Sequence, residues 1–161
     1  MKTFKLAIFY LLHWTWALSQ NIAGGIGWLV LRKKYRHERF NGAIVTYVEA
    51  KGFGGVSLGM FIFMNPAHGE GWVHDTRIHE FGHCVQSILL GPLYWIVIGL
   101  PSILWCNIPA MVRWRKEKDV SYYWLYCEGW ANVWGAAWSG EEFVANEMKK
   151  RGRFGKPWVK K

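Results

Sequence analysis

The chain has 161 residues, which is the length of a single domain. Hydrophobic residues make up 52% of it and 12 residues are Trp, a high share for a soluble domain. The net charge of +9 permits binding to nucleic acid, but no DNA- or RNA-binding motif accompanies it, and three widely spaced cysteines exclude a disulfide framework.

Apolar and charged residues occupy different parts of the chain. Residues 6–31 and 84–112 contain no Asp, Glu, Lys or Arg, and both runs exceed the roughly 20 residues with which a helix spans a bilayer. Trp and Tyr crowd the edges of these runs, and basic clusters follow them. We therefore predict an integral membrane protein that contacts membrane lipids, anionic lipids in particular. The alternative is a small soluble protein with buried helices, but so short a chain cannot easily bury these segments.

The first predicted element is a transmembrane helix over residues 4–31, which would be retained as a signal anchor. The basic cluster after it places the following residues on the cytoplasmic side of the membrane. Two segments rich in β-branched and aromatic residues, 43–50 and 56–64, then predict strands separated by a glycine-rich turn. Residues 43–64 are thus expected to form a β-hairpin or a small sheet.

A helix is predicted over residues 76–90, with Asp75 or Thr76 as its N-cap and Gly91 at its end. The apolar residues 93–112 follow and are interrupted by one Gly and two Pro. If both ends of this segment are cytoplasmic, it cannot cross the membrane once. We therefore expect it to form a membrane-embedded helical hairpin.

The last long helix is predicted over residues 121–138, which are dense in Trp. Ser139 and Glu142 resemble a capping box that opens a short helix to about residue 150. A basic tail over residues 151–161 ends the chain. Residues 1–161 are accordingly predicted as one membrane-embedded domain of α+β class that is mainly helical.

The helix over residues 76–90 carries the sequence His79-Glu80-Phe81-Gly82-His83, which matches the HExxH pattern. Positions i and i+4 of a helix lie on the same face, so His79 and His83 can offer two imidazoles to one metal ion. Glu80 can then reach a water bound to that metal and act as general base. A catalytic zinc site has three protein ligands and an open position, so a third ligand is expected elsewhere in the chain.

Glu128 is the best candidate for the third ligand. It is the only charged residue between Val120 and Gly140, and a lone carboxylate in such surroundings requires a cation, which a metal ion provides. The alternatives are a basic partner such as Arg77 or an exposed position on the surface. The neighbouring Cys127 is expected to act as a small hydrophobic residue rather than as a ligand.

Glu128 on a later helix, together with the HExxH motif, resembles the gluzincin metalloproteases. The chain is most similar to an integral-membrane minigluzincin, and it resembles the membrane CAAX-processing and heat-shock membrane proteases more distantly. The resemblance covers roughly residues 43–138 and implies a small sheet packed on the HExxH helix and the glutamate helix. It also implies that an edge strand, here residues 55–63, lines the cleft above zinc. A peptide or protein substrate would bind there in extended form by strand addition.

The chain departs from the gluzincin pattern in two places. Gluzincins usually have Glu-x-x-x-Asp on the second helix, whereas this chain has Asn132 four residues after Glu128. Asn132 can still accept a hydrogen bond from a zinc-ligating imidazole, although it adds no charge. The spacing from His83 to Glu128 is also longer, and residues 91–118 account for the excess.

The sequence therefore predicts a zinc-dependent metallopeptidase of the membrane, with its site near the cytoplasmic face. An oxyanion would require zinc and a second donor, and the side chains that could provide it are Tyr122, Tyr123, Tyr126 and His74. Any one of these tyrosines could instead be an interfacial anchor. Two other functions are considered: a non-catalytic membrane protein with a structural zinc site, and a lipid- or nucleic-acid-binding module that uses the basic tail. Nucleic-acid binding is not expected.

Overall fold

The computed structural model describes residues 3–145. These residues form an α+β fold that is mainly helical and contains one four-stranded sheet. The elements in chain order are α1 (Thr3–Trp14), α2 (Leu18–Leu31), β1 (His37–Phe40), β2 (Ala43–Tyr47), β3 (Gly55–Leu58), β4 (Phe61–Met64), α3 (Glu70–Leu90), α4 (Leu100–Asn107), α5 (Pro109–Glu117) and α6 (Tyr126–Ser139). Short 3₁₀ turns precede α3 and α6, and a π-helix over Trp95–Gly99 precedes α4.

The sheet has the strand order β1-β2-β4-β3, so that β3 is an edge strand. β2 pairs with β4 in parallel, and β3 and β4 form an antiparallel hairpin. Of the two forms predicted for residues 43–64, the small sheet is confirmed and the hairpin between 43–50 and 56–64 is wrong. The physical reason is Gly59, whose φ of 60° reverses the chain inside the second predicted strand. β1 was not predicted.

The predicted single helix over residues 4–31 is wrong, because the chain breaks between α1 and α2 at residues 15–17. Polar residues that follow the break bond to the rest of the protein. The Gln20 side-chain amide donates to the carbonyl oxygen of Gly91 at 2.6 Å, and the Asn21 side-chain oxygen accepts from the backbone N–H of Met60 at 3.1 Å. These buried hydrogen bonds hold α2 against the sheet and the end of α3.

Within residues 3–145, no single helix is long and apolar enough to cross a membrane. One pair of helical segments, Glu70–Leu93 and Trp95–Asn107, meets the length and composition requirements together, but the two are bent by 120° relative to each other. Residues 93–112, predicted as a membrane-embedded helical hairpin, are helical, with a break at Ile108 ahead of Pro109. Their embedding in a membrane stays a prediction.

α3 ends at Leu90 as predicted but begins at Glu70, six residues earlier than expected. The prediction that Asp75 or Thr76 caps this helix is therefore wrong. The buried Asp75 carboxylate instead accepts hydrogen bonds from the backbone N–H groups of Val144 and Ala145, both at 2.7 Å. Asp75 thus fixes the last described residues of the chain against α3.

The helix predicted over residues 121–138 is present as α6, after a 3₁₀ turn at Tyr122–Trp124. The predicted capping box is wrong, because Ser139 is the last residue of α6 and Gly140 ends the helix with a φ of 76°. Residues 141–145 are not helical. The remainder of that predicted helix and the basic tail over residues 151–161 lie outside the described residues.

α3 lies between the sheet and α6, and it contacts α6 at the backbone. A Cβ added at Gly82 would lie 1.9 Å from the carbonyl oxygen of Ala131, and one added at Gly135 would lie 2.1 Å from the carbonyl oxygen of Ile78. Only glycine permits this approach at both positions. The close crossing brings the HExxH face of α3 to the first turns of α6.

Candidate metal centre

α3 and α6 bring His79, His83 and Glu128 together in the interior of the protein. One ligand atom from each of the three buried residues lies within 4.8 Å of the other two. The Glu128 Oε2 atom lies 3.1 Å from Nε2 of His79 and 3.6 Å from Nε2 of His83. This group can hold a metal ion, and Glu128 lies beside the two histidines as expected of a third ligand.

Hydrogen bonds on the far side of each imidazole orient the two histidines. Nδ1 of His79 lies 2.6 Å from Oδ1 of Asn132, the position predicted to hold this imidazole. Nδ1 of His83 lies 2.6 Å from Oε1 of Gln86, whose Nε2 donates to the carbonyl oxygen of Cys127 at 2.8 Å. Because that carbonyl can only accept, the Gln86 amide has one orientation, and His83 donates from Nδ1. Nε2 of each imidazole faces the Glu128 carboxylate and is the ring atom available to a metal.

The Glu128 carboxylate provides the test of whether these residues fit a metal ion. Its Oε2 atom is buried and has no aligned hydrogen-bond donor among the described residues. A buried carboxylate oxygen between two imidazole nitrogens is unfavourable unless a cation lies among them. Two histidines and one carboxylate form a ligand set that zinc uses in catalytic sites. The residues therefore fit a metal of this type.

The electrostatics of the three residues favour a bound positive charge. Burial opposes the charge on His83, but its interaction with the Glu128 carboxylate outweighs this effect and raises the pKa of His83 to about 9. Burial likewise opposes ionisation of Glu128, yet the imidazoles of His79 and His83 hold the pKa of Glu128 well below its usual range. Without a metal, a proton on His83 takes the place of the cation, so a metal ion and a proton compete for this histidine.

Glu80 lines the same cavity as the three ligands and lies against the edge strand. The cavity has a volume of about 80 Å³. A Cβ added at Gly55 would lie 2.7 Å from Oε1 of Glu80, so the glycine permits this contact. Burial raises the pKa of Glu80. Its Oε2 atom and the Ser57 hydroxyl are both buried without a hydrogen-bond partner in the described part of the chain.

The position of the edge strand agrees with the expectation for residues 55–63 only in part. Residues of β3, Gly55–Leu58, line the cavity, and β3 is at the edge of the sheet. Residues 61–63 belong to β4, which lies between β2 and β3. The turn at Gly59 separates the two parts.

The four side chains considered as oxyanion donors lie in different places. Tyr122 lines the cavity. The Tyr123 ring packs against the His79 imidazole with centroids 5.3 Å apart, and the Tyr126 hydroxyl donates to the carbonyl oxygen of Val97. His74 interacts with Asp75 at 3.0 Å and with Glu141 at 3.3 Å, and it does not line the cavity.

The sequence did not identify Gln86, Ser57 or Tyr94, although the last two line the cavity and Gln86 orients His83. Gln86 carries a usable signal, since it lies three residues after His83 and is polar within an uncharged run. The alternative partner for Glu128 is excluded. Arg77 instead forms ion pairs with Glu38 at 3.1 Å and with Glu141 at 3.3 Å.

No protein-family model, curated protein or solved structure matches this chain. The geometry of the site is therefore the basis on which a function is inferred.

Proposed function

We propose that the protein is a zinc-dependent membrane metallopeptidase whose metal is held by His79, His83 and Glu128. The observation that carries the proposal is the arrangement of these ligands beside Glu80. The ligand atoms lie within 4.8 Å of one another, and the Glu80 carboxylate lines the same cavity. A purely structural zinc site is normally closed by four protein ligands, whereas this group has three.

When bound, zinc would supply Lewis acidity and lower the pKa of a coordinated water. Glu80 accepts a proton as the oxygen of the attacking water bonds to the scissile carbonyl carbon. It then gives this proton to the amine nitrogen as the C–N bond breaks, which leaves a carboxylate and an amine. The raised pKa of Glu80 suits a group that holds a proton between these two steps. Asn132 and Gln86 keep the imidazoles in the ligating orientation throughout.

The substrate is a peptide or protein segment in extended form. β3 is at the edge of the sheet and lines the cavity, so its outer edge is available to pair with a peptide backbone next to Glu80. We assign the second oxyanion donor to Tyr122, because it alone of the four candidates lines the cavity.

We place the protein in a membrane, in contact with anionic lipids and with its site near the cytoplasmic face. α1, α2 and residues 93–104 expose many large apolar side chains and carry no charged residue beyond Lys5. Basic residues follow both uncharged runs, as in cytoplasmic flanks of membrane segments.

The function is tested by metal analysis and peptide cleavage in parallel. The purified wild-type protein, in detergent and in phospholipid vesicles, is expected to contain one zinc ion per chain and to cleave members of a peptide library. Glu80→Gln should retain zinc and lose cleavage, whereas His79→Ala should lose both. Glu117→Gln changes an exposed carboxylate outside the site and serves as the control. Absence of zinc from the wild-type protein, or undiminished cleavage by Glu80→Gln, would contradict the proposal.

A further inference from the structure

Residues 91–107, called the roof below, cover the cavity that contains the metal ligands. Tyr94, Trp95, Gly99, Ser102 and Ile103 of the roof line the cavity opposite Glu80 and β3. The cavity is partly enclosed, and its volume is about 80 Å³. Ligand pockets are larger, about 300–1,000 Å³. The edge strand is partly exposed, with Val56 39% exposed, whereas Glu80 is 5% exposed. A peptide paired with β3 therefore brings a carbonyl carbon next to Glu80 only if the roof moves.

Hydrogen bonds and one buried cluster attach the roof to the rest of the protein, and the roof has a break at each end. The Gly91 carbonyl accepts from Gln20, the Val97 carbonyl accepts from the Tyr126 hydroxyl, and Tyr94 and Ile98 pack with Cys127. The Trp95 indole donates to the Ser19 hydroxyl at 3.0 Å, and the Trp105 indole donates to the carbonyl oxygen of Tyr122 at 2.9 Å. Gly91 starts the roof with a φ of 53°, and Ile108 follows it in extended conformation. The segment between these breaks begins with a 3₁₀ turn at Gly91–Leu93 and continues with a π-helix at Trp95–Gly99, a form that is uncommon and often occurs at functional sites. Such an element can move as a unit about its two ends.

The outer face of the roof is apolar and exposed. Ile96 is 68% exposed, and Leu93 and Ile103 are each 57% exposed. Ile103 also lines the cavity, so the roof is thin at this position. The run 84–112, which includes the roof and the residues on either side of it, contains no Asp, Glu, Lys or Arg.

This apolar face continues onto the first two helices. A Cβ added at Gly91 would lie 2.3 Å from the Trp16 indole, and Trp95 bonds to Ser19, so the turn between α1 and α2 packs against the start of the roof. Trp16 is itself 50% exposed. Apart from Lys5 near the start of α1, the continuous surface lacks Asp, Glu, Lys and Arg, and the basic clusters begin only at Arg32 and Arg113. A surface of this kind fits the hydrocarbon layer of a bilayer rather than a polar protein partner.

We propose that the roof is the entrance to the metal centre and that it opens to the bilayer, so that substrates reach the site from the lipid. The inference rests on the proposed peptidase function for its substrate class. That class is a polypeptide segment anchored in the membrane or lying at its surface, and soluble peptides are poor substrates. Lipid acyl chains cover the outer face of the roof, and they stay in contact with this face as the roof lifts.

The direction of entry is tested by cysteine labelling in phospholipid vesicles, which requires neither zinc nor cleavage. The background is Cys106→Ser, in which the remaining Cys84 and Cys127 are buried and should not react. In this background, Ser102→Cys reports on the cavity, Ile96→Cys on the outer face and Lys51→Cys on an exposed polar turn. Each is treated with a lipid-soluble maleimide and with a charged, membrane-impermeant maleimide.

The lipid-soluble reagent is expected to label Ser102→Cys at least tenfold faster than the charged reagent does. The same preference for the lipid-soluble reagent is expected for Ile96→Cys. Lys51→Cys, on the exposed polar turn, should react well with the charged reagent. Equal or faster labelling of Ser102→Cys by the charged reagent would overturn the proposal, because the cavity would then open to water. No labelling by either reagent would also overturn it, because the roof would not open.

A cleavage assay tests the substrate class separately. One peptide sequence is supplied to the protein in vesicles either free or with a hydrophobic membrane anchor. The anchored form should have a kcat/KM at least tenfold higher than the free form. Cleavage of both forms at the same rate would contradict entry from the lipid while leaving the peptidase function intact, whereas failure of zinc binding would contradict only the function.

Discussion

Replacing Gln86 with Met should weaken zinc binding without removing a ligand. Gln86 holds His83 through a 2.6 Å contact to Nδ1 and is itself held by the Cys127 carbonyl at 2.8 Å. Loss of a hydrogen bond that orients a metal-ligating histidine typically weakens metal binding about 10- to 100-fold. This corresponds to about 1.4–2.8 kcal/mol of binding free energy. The zinc dissociation constant is measured by competition with a fluorescent chelator at fixed pH.

Gln20→Met is the matched control. Gln20 and Gln86 are both 0% exposed, and each donates from Nε2 to a backbone carbonyl oxygen. Either substitution removes one buried side-chain hydrogen bond to a backbone carbonyl, at a cost of about 0.5–1.5 kcal/mol in stability. Only Gln86→Met should also change the zinc dissociation constant. Equal zinc affinities for both variants would refute the assignment of Gln86 as the residue that orients His83.

Three further predictions concern protonation, helix packing and the oxyanion. Because zinc binds neutral imidazole, the apparent zinc affinity in a pH titration should rise about tenfold per pH unit and level off above the His83 pKa of about 9. A zinc affinity that does not change with pH would contradict competition between the metal and a proton. Gly82→Ala places a Cβ 1.9 Å from a backbone oxygen and should lower stability by about 1–3 kcal/mol or more in thermal denaturation, whereas Gly71→Ala, with open space around it, should not. Equal melting temperatures for the two variants would argue against the close crossing of α3 and α6. Tyr122→Phe should keep zinc and lose about 100- to 1,000-fold in kcat, and an unchanged kcat would exclude it as the oxyanion donor.

The ligand group was largely predictable because most of its information is local. His79 and His83 share a helix face by their spacing alone. Glu128 was identified because a single carboxylate in an uncharged segment requires a partner, and the structure brings it to the two histidines. Asn132 was placed correctly because it lies four residues from Glu128 on the same helix.

Features that depend on contacts distant in sequence were not predictable. The break between α1 and α2 is accompanied by hydrogen bonds from Gln20 to Gly91 and from Asn21 to Met60, which join residues 71 and 39 positions apart. The parallel pairing of β2 with β4 is likewise a choice among partners that the pattern of apolar residues does not specify. Gly59 was the local signal for the reversal of the second strand, because a glycine within a strand pattern often marks a bend.

The most direct test of the metal centre is zinc X-ray absorption spectroscopy on the purified protein. The account predicts a first shell of two imidazole nitrogens and oxygen ligands, all at about 2.0–2.2 Å, with no sulfur. The Glu128→Ala variant should lose an oxygen ligand or the metal itself. A sulfur shell at about 2.3 Å, which would indicate ligation by Cys127 or another cysteine, or zinc binding that persists unchanged in Glu128→Ala, would contradict the His79–His83–Glu128 assignment.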